Sequence, residues 1–123
     1  MSDHMRHEMA QLFKSFFPEH AERWEYLLQR DQRKWQKMAP FKYWFSRDQT
    51  ACSPKSFDLA HPLLAGKLEA SVVALSCMWT DCWLKEMSLD EAYHSVHEGY
   101  ISITPGQLGM AFNHEGGCWL LHK

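Results

Sequence analysis

The chain has 123 residues, enough for one domain whose core needs neither a metal nor a disulfide to fold. Hydrophobic residues make up 46% and charged residues 23%, a globular composition that excludes a disordered or low-complexity chain. A net charge of −2 excludes a general pull toward nucleic acid or anionic membrane, and no run of about 18 apolar residues provides a transmembrane helix.

The first predicted element is a helix from Met5 to Phe17, where Met9, Leu12, Phe13, Phe16 and Phe17 recur at three- and four-residue spacing. Pro18 ends it and also suits the first turn of a second helix. That second helix is expected over Glu19 to Met38, with Trp24, Leu27, Leu28, Trp35 and Met38 as its apolar face and Asp31 interrupting the stripe. Its acids gather at the start and its bases at the end, which complements the helix dipole. Phe41 to Phe45, FKYWF, reads as a short strand, and the Ser-, Thr- and Asp-rich stretch after it reads as a loop.

Leu63 to Met87 reads as a long central helix. Leu64, Leu68, Val72, Leu75, Trp79, Cys82 and Trp83 fall on one side, and Ala70, Val73, Cys77 and Leu84 on the other. Ser88-Leu-Asp-Glu91 is a capping box that opens a shorter helix ending near Gly99. After it the period changes. YISIT, QLGMAF and CWLLH alternate, and are separated by Pro105-Gly106 and by NHEGG, as in an antiparallel meander. A rival reading caps a helix at Thr104 with Leu108, Ala111 and Phe112 on its face, but Gly109 weakens it. The expected architecture is α+β: a mostly helical single domain over 1–123, with a long central helix and a small C-terminal β meander. The alternative is all-α.

Cys77, Cys82, His94 and His97 superficially resemble a zinc-finger pattern. On a continuous helix, however, residues five apart differ by about 140° in direction and about 7.5 Å in height, so the two cysteines would point to different faces. They are read as small buried hydrophobes, with the thiols reduced. His94 and His97 share a face at i,i+3 spacing and remain a candidate pair for zinc or for the catalytic proton of a small enzyme, a site that His114 and Cys118 could complete if the meander folds back on them. No cofactor is otherwise implied. Cys52 with His61, or Cys118 with His114, would offer a thiol and a base, but such pairs arise by chance among four Cys and eight His. A P-loop, a GxGxxG turn and a GxSxG elbow are all missing, so enzymatic activity has no assembled motif behind it.

Gln29 to Arg47 carries Arg30, Arg33, Lys34, Lys37, Lys42 and Arg47 among Trp35, Phe41, Tyr43, Trp44 and Phe45. Basic residues that track phosphates, and aromatics that stack on bases, make single-stranded nucleic-acid binding one candidate function. A helix-turn-helix in residues 89–113 is disfavoured, because its second half carries no Arg or Lys and its acids would face phosphates. The leading expectation comes from the aromatic fraction of 14%, more rings than one small core should hold. Trp35, Phe41, Tyr43, Trp44 and Phe45 are accordingly the expected partner-binding residues of a protein–protein interaction module acting as an inhibitor, adaptor or regulatory subunit. The partner is another protein or a second copy in a homodimer, with no membrane involved. The opening stretch MSDHMRHEMAQLF lacks an uninterrupted apolar segment, so no secretory signal and a cytoplasmic location are expected.

Overall fold

A computed structural model describes residues 3–30, 32, 34, 35, 59, 61–78, 81–112 and 118–123. The element order is α1 (Asp3–Phe16), α2 (Pro18–Leu28), a short 3-10 turn (Pro62–Leu64), β1 (Ser71–Met78), β2 (Asp81–Ser88), α3 (Leu89–Ser95), β3 (Gly99–Thr104), β4 (Leu108–Phe112) and β5 (Cys118–His122).

The amphipathic stripe of α1 is buried as its spacing predicts, through Met9, Leu12, Phe13 and Phe16. Phe17 leaves the helical conformation at φ −135°, ψ 55°, and Pro18 then starts α2. α2 buries Ala21, Trp24, Leu27 and Leu28. It stops at Leu28, ten residues short of the helix expected to reach Met38. The cause lies in Trp35, whose indole Nε1 donates to the carbonyl of Leu27 at 2.9 Å. Eight residues of straight helix would set these two about 12 Å apart along the axis. The chain must therefore turn back so that Trp35 enters the core already occupied by Leu27 and Leu28.

The expected long central helix does not exist, nor does the all-α alternative. Its residues form the 3-10 turn and the hairpin β1–β2, in a five-stranded antiparallel sheet of order β2-β1-β3-β4-β5. The three strands predicted at the C-terminus are present, but as part of this larger sheet rather than a small appendage. The mistake has a physical source. Every residue from Val72 to Cys77 is buried, because β1 is a central strand covered on both faces. Such a strand is apolar without alternation and cannot be told from a buried helix by period alone.

The two faces of the sheet support two cores. On one, α1 and α2 cover Val73, Leu75, Cys77, Cys82, Leu84, Tyr100, Ala111 and Leu121. On the other, Leu64, Leu89 and Ala92 pack with Val72, Ala74, Ile101, Ile103, Met110, Phe112 and Leu120. Ser88 caps α3 by accepting from the Glu91 N–H at 3.2 Å, the bond that the capping box predicts. α3 is shorter than expected and ends at Ser95.

Two glycines are required by their positions. Thr104 to Gln107 turns with Pro105 second, Gly106 third at φ 69°, and the Gln107 N–H donating to the Thr104 carbonyl at 2.9 Å, as in a type II turn. At Gly99 a Cβ would lie 1.9 Å from the carbonyl oxygen of Leu75, so only a glycine lets β3 approach β1 there.

Candidate functional site

The aromatic residues of α1 and α2 assemble around Tyr100 of β3. Phe13 meets Trp24 and Tyr100 edge-on at 5.0 and 5.1 Å, and Phe17 lies 5.6 Å from Tyr100. His20 stacks on the outer side of Trp24 at 4.8 Å. These geometries are the favoured ones for ring quadrupoles, so the core takes up more aromatic surface than composition suggested. Burial and the neighbouring Glu98 hold the Tyr100 hydroxyl well above its usual pKa.

Trp35, one of the expected partner-binding residues, belongs to this core with 1% of its surface exposed. It is therefore a packing residue in this structure. Phe41, Tyr43, Trp44 and Phe45 lie outside the described residues, as do Arg33, Lys37, Lys42 and Arg47 of the basic set. Of that set, Lys34 is exposed, and the guanidinium of Arg30 sits 4.4 Å above the ring of Tyr26.

Among the described residues Tyr26 is the aromatic that the core leaves exposed, at 56%. It lies off the Trp24, Leu27 and Leu28 stripe, so the helix that buries those residues turns its ring to solvent. Arg30, just past the end of α2, covers the ring face in a cation–π contact. Lys14 reaches across from α1 to Glu25 at 3.6 Å and ties the two helices beside it. The result is a Tyr–Arg pair presented on a packed helical hairpin. Sequence reasoning passed over Tyr26, although its place off the apolar stripe was the signal.

The zinc-like set is dispersed. Cys77 and Cys82 are directly opposed on β1 and β2 and joined as a disulfide, which corrects the expectation of two reduced thiols on opposite helix faces. Five residues of sequence bring them together because two strands and a two-residue connection replace the helix. Met78 pairs with Asp81 at the end of the ladder. His94 is in the last turn of α3, its Nδ1 2.8 Å from the Asp90 carbonyl oxygen and 3.7 Å from that residue's carboxylate. His97 lies beyond the helix, with its N–H donating to Ser76 Oγ at 2.8 Å. The shared helix face assumed for the pair ends with the helix at Ser95. Among the described residues no group of three His, Cys, Asp or Glu is placed to hold a metal. Burial pushes the Cys118 thiol up to about 12, so it stays protonated and weakly nucleophilic at neutral pH. Its suggested base, His114, is outside the described residues, as is Cys52.

No helix among the described residues is long and apolar enough to cross a membrane. Comparison with models of known families, with curated proteins and with solved structures returned no match.

Proposed function

We propose that this chain is a small protein–protein interaction module, an inhibitor, adaptor or regulatory subunit acting in the cytoplasm. The observation that carries the reading is the exposed Tyr26 with Arg30 stacked upon it at the end of α2. Tyr and Arg are the residues that most often dominate interface energetics, and here α1–α2 packing holds the pair in place. A ring already covered by a guanidinium loses little freedom on binding, and the same guanidinium offers donors to a carboxylate of the partner. Phe41, Tyr43, Trp44 and Phe45 follow Arg30 in the sequence and are proposed as further partner contacts on their residue type alone. The partner is a protein with an acidic group beside an apolar pocket, and a second copy of the chain is one form it takes.

The test compares the natural chain with Tyr26→Ala and Trp44→Ala, each carrying a photo-crosslinker at exposed Lys34 in place of the lysine. Tyr26→Ala removes an exposed contact worth about 1 kcal/mol or less, so Tm should fall by at most about 4 °C. The crosslinked partner should drop at least about tenfold in both variants, the loss expected when a hot-spot residue is truncated. Undiminished crosslinking by both folded variants would refute the reading.

A further inference from the structure

We propose that Cys77 and Cys82 form a reversible redox switch, oxidised and reduced with the sheet intact, that controls how the chain after α2 is held through Gln32. The Cys77 N–H donates to the carbonyl of Glu98 at 2.8 Å, away from β2. In an antiparallel ladder this makes Cys77 and Cys82 a non-hydrogen-bonded pair, the register at which opposed side chains come closest. Their Cα atoms are 4.1 Å apart. The strands themselves bring the sulfurs together, through partners from Ser71 with Ser88 to Met78 with Asp81. A reduced pair therefore remains face to face, and the bond can close again without a search.

The two cysteines are held unequally. β1 lies between β2 and β3, and around Cys77 it is tied to the segment leading into β3 by the Glu98 bond and by Ser76 Oγ accepting from the His97 N–H. β2 is an edge strand. The backbone of Cys82 faces outward by the same alternation, and its carbonyl accepts from the side-chain amide of Gln32. Both sulfurs lie in the core under α1 and α2, with Cys77 5% and Cys82 1% exposed. Two unbonded sulfurs need van der Waals separation where a disulfide needs only a bond length, and a close-packed interior does not supply the difference. The displacement must fall on the less anchored partner, so Cys82 moves and the Gln32 bond is the contact it disturbs. Three residues on, Trp35 is seated against Leu27, so the same short segment joins the sulfur pair to the helical core.

The chemistry is thiol–disulfide exchange with a dithiol, either dithiothreitol or a thioredoxin-class protein. One thiolate of the reductant attacks a cysteine sulfur and forms a mixed disulfide. The other cysteine leaves as a thiolate and takes up a proton. The second reductant thiol then displaces the first cysteine, which is protonated in turn. The protein gains two electrons and two protons, and the dithiol becomes a disulfide. Access comes from the hairpin end, one register pair beyond the cysteines, where local opening is cheapest. Exchange should therefore be slow and limited by opening.

The switch operates in the isolated chain and needs no partner. The experiment equilibrates the natural protein in dithiothreitol buffers of graded poise. It counts free thiols by mass, follows the sheet by circular dichroism, and reads the hydrogen-exchange rate of the Trp35 indole N–H by NMR. The expected result is reversible loss and recovery of one disulfide, an unchanged sheet signal, and exchange at Trp35 about fivefold faster when reduced, the effect of losing one ordinary hydrogen bond. In Gln32→Ala the oxidised chain should already exchange fast, and reduction should add nothing. Cys77→Ser with Cys82→Ser should behave as the reduced form. If that variant does not fold, the natural chain under reduction supplies the same measurement. Resistance to excess reductant below the unfolding transition, unfolding on reduction, or equal Trp35 exchange in both states would each overturn the proposal.

Discussion

Trp35→Ala measures whether Trp35 is core or contact surface. The side chain is 1% exposed and belongs to the cluster formed by α1, α2 and one sheet face. Truncating a buried Trp costs about 3–5 kcal/mol in lost transfer energy and residual cavity. The lost indole donor adds little, because the Leu27 carbonyl still accepts from the Arg30 N–H at 3.0 Å. Against a total stability of about 5–15 kcal/mol, the loss is about a fifth or more, and about 40% for a domain near the middle of both ranges. In a urea titration the midpoint should fall by about 2 M, with an unchanged slope if both states keep their compactness. Trp35→Phe keeps a ring in the site but removes the donor, and should cost only about 1–2 kcal/mol. A loss below about 1 kcal/mol for Trp35→Ala would refute the burial argument and return the residue to the partner surface.

Two further predictions concern the sheet and its titrating groups. Gly99→Ala should destabilise by about 3 kcal/mol or more, because the new Cβ meets the Leu75 carbonyl at 1.9 Å and backbone must move; wild-type stability in thermal unfolding would show that β1 and β3 are farther apart there. Cys118 and Tyr100 both have folded pKa values raised by burial. Their contribution is therefore fully present below the unfolded values of about 9 and 10, and is lost as pH rises toward and through the folded ones. Stability should decline from about pH 9 upward, and the decline should be shallower in Cys118→Ala; a flat profile between pH 8 and about 11 would contradict both shifts.

Elements specified by neighbours in sequence were legible. The spacing of Met9, Leu12, Phe13 and Phe16 and the Pro18 break define α1 and the start of α2. Ser88 with Glu91 marks the start of α3, and Pro105-Gly106 marks the turn between β3 and β4. Each depends on one helix face, one cap or one turn geometry, so no distant residue was needed to read it. The candidate site was less legible. Trp35 looked like surface because its place in the sequence, near a helix end, says nothing of the turn that carries it back to Leu27. Tyr26 differs from the dense aromatic stretches in being a ring off a buried stripe, a position that depends on which face α1 and the sheet cover.

The sequence by itself determined a mixture of helices and strands, the amphipathic helix α1 with the Pro18 start of α2, and the strands of the C-terminal third, because period, caps and turn residues act within a few positions. The tertiary structure decided the identity of residues 71–88. In β1 an apolar run buried on both faces satisfies a helix and a central strand equally well, and pairing with β2 on one side and with β3, farther along the chain, on the other selects the strand. That choice turned Cys77 and Cys82 from residues about 140° apart on a helix into an opposed, bonded pair. Separately, the return of the chain to Leu27 buried Trp35, because burial depends on what packs against a residue and not on the residue alone.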